Sequence, residues 1–284
     1  MTTNCSTASL ITTRRLHQRV AVACLLGLQS ISWAQARPES RPDTLHALEA
    51  KGITVVGSFP AAGGLTAWAA YMGQTPVALY ATPDGKHMVA GTMLDAKGDD
   101  VNQAALQQAV AKPMTDGAWS QVERSAWIAD GSDKAPKIVY VVTDPNCPYC
   151  NKLWSDARPW VDSGKVQLRH IMVGILTPTS AGKAAALLAD KNPSAALDAH
   201  ERANVAANAK VMAAGRPKPL GNDGLKPMTT IPPAIDAKLE ANAKLMASLR
   251  LQATPALIWR DAKGMLQTRT GAPDNALPAI FGTL

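Results

Sequence analysis

The sequence predicts a fold of the mixed α+β / α/β class, with two domains joined by a helix. Residues 37–98 are rich in glycine and in short alternating segments, which indicates antiparallel sheet. Residues 99–130 favour helix, and residues 131–284 alternate between strand-like and helix-like segments. Of the 284 residues, 46% are hydrophobic and 18% are charged, which is typical of a globular protein and excludes a disordered chain.

The first 36 residues have the pattern of a secretory signal peptide. Three arginines come first, residues 20–28 form a short apolar core, and Ala34-Gln35-Ala36 is a small-x-small cleavage site. The apolar core is too short to span a bilayer. We therefore expect residues 1–36 to direct export and to be removed, which leaves a mature chain with no membrane anchor.

The charge balance argues against nucleic acid as a partner. The formal net charge of +7 falls to +4 without the leader, because the leader holds three arginines and no acidic residue. No basic run and no interleaving of basic with aromatic residues is present in the sequence.

Residues 37–98 are expected to form a small N-terminal domain with no cluster of catalytic residue types. Its strand-like segments and one turn signal are at residues 53–56, 65–72, 76–80, 82–86 (the turn) and 87–94. A sheet of this size buries little apolar surface by itself, so we expect it to pair with another surface.

The linker at residues 99–130 is predicted to be a helix that is interrupted at Pro113, because proline removes a helical hydrogen bond.

Residues 131–284 follow the order β-α-β-α-β-β-α. The strands are predicted at residues 138–143, 165–173, 256–259 and 264–268, and the later helices at 180–212, at 235–249 and from about 274. A helix joins the first two strands, so these two must be parallel neighbours.

The most informative motif is Cys147-Pro148-Tyr149-Cys150, which follows the first of these strands and opens a helix. A cysteine at a helix start faces unpaired N–H groups and the positive end of the helix dipole, and both favour the thiolate. The thiolate is the reactive form of cysteine. Cys150 lies one helical turn further on, where it can attack a mixed disulfide formed by Cys147. The pattern indicates redox chemistry.

Other uses of the pair fit the sequence less well. The remaining cysteines, Cys5 and Cys24, lie in the leader, so one closely spaced pair is left in the mature chain, and such a bridge adds little stability. Zinc needs four ligands, and no second pair is present. Covalent haem attachment needs histidine at position 151, which is Asn151. His170 is expected to be a core or surface residue.

At this point the chain resembles a known family. A strand, a C-x-x-C motif at a helix start and a late Thr254-Pro255 entering a strand are the marks of the thioredoxin fold. The stretches before and after the cysteines resemble the DsbC/DsbG family of thiol:disulfide interchange proteins, and Pro148-Tyr149 is the dipeptide of the DsbG type. The matching segments are 144–150, Trp154 and 157–169.

The resemblance implies a periplasmic protein with a thioredoxin-like catalytic domain that carries a helical insertion. It also implies a V-shaped homodimer, held by cystatin-like N-terminal domains and with both active sites facing an apolar cleft. A membrane reductant of the DsbD type would keep the pair reduced, and no cofactor or metal would be needed. The partners implied are oxidised client proteins.

The resemblance also implies a role for each site residue. Cys147 is expected to be the exposed, low-pKa nucleophile and Cys150 the resolving thiol. Thr254 and Pro255 would form a cis-proline loop that presents backbone to the client, and Tyr149 would offer an aromatic face beside the nucleophile. Sulfenic-acid reduction, disulfide isomerisation of the DsbC type, a redox-independent holdase and a net oxidase all remain open at this stage.

Overall fold

The computed structural model describes residues 41–61, 65–273 and 275–284. The predicted signal peptide, residues 1–36, lies outside this part of the chain. Within the described part, no helix is both long enough and apolar enough to cross a membrane.

The N-terminal half is an antiparallel sheet between two helices. Helix α1 (Asp43–Glu49) precedes four strands in the order β1-β2-β3-β4, namely β1 (Thr54–Phe59), β2 (Thr66–Met72), β3 (Thr75–Ala81) and β4 (Met88–Ala90). The predicted strands are therefore confirmed, although the last is only three residues long. A two-residue loop joins β2 to β3, and Gly73 in it has φ 58°, a conformation that favours glycine.

The two faces of this sheet pack against different helices, as the period of two along a strand requires. Trp68, Ala70 and Leu79 face Leu45 of α1. The alternate residues of the same strands, including Ala69 and Tyr80, pack on helix α2 (Gln103–Glu123).

Helix α2 connects the two halves, and it corrects two details of the predicted linker. It runs through Pro113 without interruption. The proline removes one helical hydrogen bond, but the packing of α2 on both sides of that turn contributes more to stability than the lost bond. Val110 belongs to the core of the first sheet, and Val122 belongs to a core of the second. The predicted helix at 99–130 is also too long, since Trp127–Asp130 is a strand, β5.

The second sheet has five strands in the order β5-β7-β6-β8-β9. Beside β5 these are β6 (Lys137–Thr143), β7 (Val166–Met172), β8 (Ala256–Arg260) and β9 (Leu266–Thr270). The pair β6 and β7 is parallel, as predicted, and the other pairs are antiparallel.

Helices cover both faces of this sheet. They are α3 (Pro148–Asp156), α4 (Arg158–Asp162), α5 (Ser180–Ala189), α6 (Pro193–Ala213), α7 (Pro233–Ser248) and α8 (Ala276–Phe281). The helical stretch predicted at 180–212 is confirmed, and in the structure it consists of two separate helices, α5 and α6. Asn192 caps α6 by accepting a hydrogen bond from the amide of Ala195, and Pro193 is suited to a first helical position rather than an interior one.

Strand β6 is buried on both faces. Val139 and Val141 pack with α3, α4 and α8, while Tyr140 and Val142 pack with α2 and α7. The carboxyl end of this strand therefore delivers the residues that follow it to a rigid position between two helical layers.

Candidate active site

The cysteine pair lies where β6 ends and α3 begins. Cys147 is the N-cap residue of α3, with φ −80° and ψ 114°, and Pro148 is the first helical residue. The amide of Cys147 donates to the carbonyl oxygen of Asp144 at 3.0 Å. The Cys147 sulfur accepts a hydrogen bond from the amide of Cys150 at 3.1 Å, so it satisfies one of the free N–H groups at the helix start.

These contacts favour the ionised form of Cys147. The hydrogen bond from the Cys150 thiol is the main reason why the pKa of Cys147 lies below its ordinary value, and burial works against it. The Thr254 hydroxyl and the amides of Cys150 and Tyr149 lower the pKa further.

Cys150 has the opposite character. Its side chain is buried, and burial raises the pKa of the Cys150 thiol well above its ordinary value, with the neighbouring Cys147 sulfur acting in the same direction. The two sulfurs are not bonded to each other in the structure. One sulfur of the pair is thus disposed to carry negative charge while the other keeps its proton.

The expectation that Cys147 is exposed is wrong, because the residue is only 1% exposed. Its sulfur faces the amides at the start of α3 and lies 3.5 Å from the carbonyl oxygen of Thr254. The contacts that cap the helix therefore also cover the sulfur. Tyr149 is the member of the motif that faces solvent.

Thr254 and Pro255 lie beside the sulfurs, just before β8. The peptide bond between them is cis. The Thr254 hydroxyl is close enough to lower the pKa of both thiols, but within the described residues its buried oxygen has no partner at hydrogen-bond distance. The carbonyl oxygen of Pro255 accepts a hydrogen bond from the amide of Gly271 at 2.8 Å, which ties this loop to the end of β9.

A buried polar network before the cysteines was missed by the sequence analysis. Asp144 and Asn146 are both buried and flank Pro145, and their side chains bond to Ser180 and Lys183 at the start of α5. The signal in the sequence was the polar Asp-Pro-Asn run directly after an apolar strand. Nothing local showed which distant residues it would meet.

Helix α6 contributes a second set of polar contacts. Asn208 donates to the carbonyl oxygen of Pro148 at 2.8 Å and to the side chain of Asn151 at 3.0 Å. Asn151 in turn donates to the buried carboxyl group of Glu201 at 2.7 Å, and burial raises the pKa of Glu201. The helical insertion thus holds the backbone of the cysteine motif from one side.

His170 is a core residue of β7. Its ring lies 2.9 Å from the hydroxyl of Thr143 and 3.4 Å from the carboxylate of Asp130. In the part of the chain that the structure describes, no group of three or more His, Cys, Asp or Glu residues is placed to hold a metal.

Sequence comparison identifies the family. No protein-family model matches the chain. The chain is 44% identical over 245 residues to the thiol:disulfide interchange protein DsbG of Pseudomonas aeruginosa, which covers 86% of this chain and 90% of that protein. It is 36% identical over 250 residues to the DsbG protein of Escherichia coli K12, with 88% and 94% covered. The chain belongs to the DsbG family.

Solved structures resemble this member of the DsbG family at lower identity. The catalytic domain of Proteus mirabilis ScsC is 20% identical with a TM-score of 0.44, over 58% of this chain and 93% of that one. Helicobacter pylori DsbG is 18% identical with a TM-score of 0.37, over 75% of this chain and 97% of that one. The mixed sheet with helices on both faces, expected from the sequence, is present in the structure, and membership of the DsbG family makes the protein a thiol–disulfide oxidoreductase.

Proposed function

We propose that Cys147 and Cys150 reduce oxidised cysteines on client proteins in the periplasm, with Cys147 as the nucleophile. The observation that carries this proposal is the opposite character of the two thiols. Cys147 caps α3 and has a lowered pKa, whereas Cys150 is buried with a raised pKa. Thiol–disulfide exchange needs this division between an attacking thiolate and a second thiol held in reserve.

In the first step the Cys147 thiolate attacks a sulfur of the client. If the client carries a wrong disulfide, a bond forms between Cys147 and one client sulfur, and the other client sulfur leaves as a thiolate. If the client carries a sulfenic acid, hydroxide leaves and takes up a proton to become water. In both cases the product is a mixed disulfide between Cys147 and the client.

In the second step Cys150 resolves the mixed disulfide. Its thiol loses a proton to solvent or to the departing client thiolate, and its sulfur bonds to the Cys147 sulfur. The client leaves with a reduced cysteine, and two electrons have passed from the pair to the client. A membrane dithiol reductant of the DsbD type would return them.

Thr254 and Pro255 are proposed to bind the client backbone beside the sulfurs. This proposal is supported by the carbonyl oxygen of Thr254, which is 3.5 Å from the Cys147 sulfur and can accept a hydrogen bond from an extended client segment. Tyr149 is exposed next to the nucleophile and can pack on an apolar client side chain. Pro148 keeps the first turn of α3 in the geometry that the Cys147 cap requires.

We propose that the chain consists of an N-terminal domain at 37–98, a linker at 99–130 and a catalytic domain at 131–284. The N-terminal domain is proposed to form the homodimer. Strand β4 is the short edge strand of the first sheet, and Val89 in it is 59% exposed. An apolar edge strand is a ready surface for pairing with a second copy of the chain.

A holdase is the second candidate, because three large apolar side chains near the motif are about half exposed. These are Tyr149, Ile175 and Leu176. The amides of Ile175 and Leu176 both donate to Asp144, so this apolar surface is attached to the loop before Cys147. An apolar surface of this kind can bind an unfolded chain whatever the redox state of the pair.

The test is to trap mixed disulfides with the Cys150→Ala variant. Without the resolving thiol, client proteins should stay bound to Cys147 and be released by a reducing agent. The matched control is Cys147→Ala, which should trap none. Trapping by Cys147→Ala instead would reverse the two roles, and trapping by neither would reject the exchange mechanism.

The Cys147→Ser variant distinguishes holdase activity from reductase activity. Reductase activity should fall to the level of the reaction without protein. Suppression of the aggregation of an unfolded client protein should fall with it if binding depends on the redox site. Unchanged suppression would establish the holdase as an independent activity.

A further inference from the structure

Lys183 lies at the start of α5, next to the loop that carries Cys147. The residue is fully buried, with 0% of its surface exposed. Lysine is almost never fully buried unless its ammonium group is paired, because removing the charge from water costs several kcal/mol. The mechanism above makes no use of this group, so its place in the structure calls for a physical account.

The Lys183 ammonium group bonds to the residue directly before the nucleophile. Its Nζ lies 2.7 Å from Oδ1 of Asn146 and also bonds to the carbonyl oxygen of Gly221. The amide nitrogen of the same Asn146 side chain donates to the hydroxyl groups of Thr177 at 2.6 Å and Thr179 at 2.8 Å. Both ends of the Asn146 side chain are therefore held.

Asp144 completes the arrangement from the other side of Pro145. Its Oδ1 accepts from the amide of Asn146 and from the Ser180 hydroxyl, both at 2.8 Å. Its carbonyl oxygen accepts from the amide of Cys147. Burial lowers the pKa of Lys183, and the charges of Asp144 and Asp223 act against it by favouring the charged form. The buried cation thus has a buried carboxylate nearby, and the two flank the segment that leads to Cys147.

We propose that Lys183 is a positioning residue for the nucleophile, acting through Asn146 and Asp144. It holds the 144–147 segment so that the Cys147 sulfur stays on the helix amides. The proposal rests on the assignment of Cys147 as the nucleophile.

Two effects of losing the ammonium group act in the same direction. Asn146 would lose a hydrogen bond, and the segment could move the Cys147 sulfur away from the amide of Cys150. Asp144 would also lose a nearby cation, and a carboxylate whose charge is less balanced disfavours a thiolate close to it. Both changes raise the pKa of Cys147.

The experiment measures the Cys147 pKa in the full mature chain, from the pH dependence of thiolate absorbance and of iodoacetamide alkylation. Lys183→Met keeps the length of the side chain and removes its charge. We expect the pKa to rise by about one unit, so that alkylation below the wild-type pKa slows roughly tenfold. Because the reduced state loses its stabilised thiolate, the equilibrium with glutathione should shift toward the Cys147–Cys150 disulfide.

Two further variants make the test decisive. Lys238→Met makes the same chemical change at an exposed position of α7 and should leave the pKa and the glutathione equilibrium unchanged. Asn146→Ala keeps Lys183 and removes its link to the nucleophile, so it should raise the pKa in the same direction, and it takes over the test if Lys183→Met does not fold.

Lower thermal stability of Lys183→Met and Asn146→Ala with an unchanged Cys147 pKa and glutathione equilibrium would overturn the proposal and leave Lys183 a stabilising residue only. Failure of the proposed function is a separate result, because it would appear in the wild-type chain as a Cys147 that forms no mixed disulfide.

Discussion

The two sheets of this protein differ in how their strands are covered. In the second sheet, β6 and β7 are buried along almost their whole length, with helices on both faces. In the first sheet, β1 is mostly half-buried and β4 ends exposed. The central strands β2 and β3 of the first sheet are also largely buried, so the contrast is between the parallel pair that leads to the cysteines and the outer strands of the first sheet.

The second sheet is therefore the more rigid of the two, and the first sheet has more exposed apolar surface. The reactive sulfurs follow the most deeply buried strand, where a small displacement would be resisted by packing on both faces. Exposed apolar side chains such as Met72 and Val89 lie in the first sheet, where they are available to a partner. We therefore expect catalytic geometry to depend on the second sheet and the proposed association to depend on the first.

The largest expected effect is a loss in the free energy of unfolding when matched core leucines in the two sheets are truncated. Leu168 in β7 and Leu79 in β3 are both buried, but Leu168 lies in the larger apolar cluster. Leu168→Ala should lower the free energy of unfolding by about 3–5 kcal/mol, and Leu79→Ala by about 2–3 kcal/mol, because a small core collapses more easily around a cavity. Urea unfolding of the reduced protein measures both, and equal losses would contradict the comparison.

A smaller effect is expected from a charge in the second sheet. Asp130 of β5 bonds to Arg158 in two places and to His170. Burial would raise the pKa of Asp130, but these partners lower it to about 2 from 3.8. A carboxyl group with a lowered folded pKa stabilises above its unfolded pKa and loses that contribution as the pH falls through its folded pKa.

Asp130→Asn should therefore cost about 2 kcal/mol at neutral pH, and the cost should shrink as the pH falls from 4 to 2. Thermal unfolding as a function of pH measures it. The control is Asp198→Asn, which removes a carboxylate from an exposed pair with Arg202 and should change stability little. A cost at Asp130 that is independent of pH would show that charge is not the cause.

The smallest effect on stability, with a large effect on assembly, is expected at the edge of the first sheet. Val89→Glu changes an exposed side chain, so unfolding should shift by less than about 0.5 kcal/mol. Light scattering should nevertheless show a shift from dimer to monomer, because a buried carboxylate would oppose pairing of the edges. The control is Leu284→Glu, the same kind of change at the C-terminus, which should leave the dimer intact. If the Val89→Glu variant still forms a dimer, the interface lies elsewhere.

Most of the second sheet could be predicted from the sequence because its signals are local. The strand before the cysteines is a β-branched apolar run, and the cysteines follow it directly. Strand β5 could not be predicted, since Trp127–Asp130 is short and becomes a strand by pairing with β7. The continuity of α2 through Pro113 likewise depends on contacts with residues distant in sequence, such as the hydroxyl of Tyr71, which donates to the Pro113 carbonyl oxygen.

By itself, the sequence predicted a redox role for the pair and determined the place of that pair in the fold, because a strand, a C-x-x-C motif and a helix start are adjacent in the chain. Only the tertiary structure decided how the pair is surrounded. The burial of Cys147, the carbonyl oxygen of Thr254 beside its sulfur and the contact of Lys183 with Asn146 join segments that are far apart in sequence. Such contacts depend on the packing of whole elements, which no local pattern of residues records.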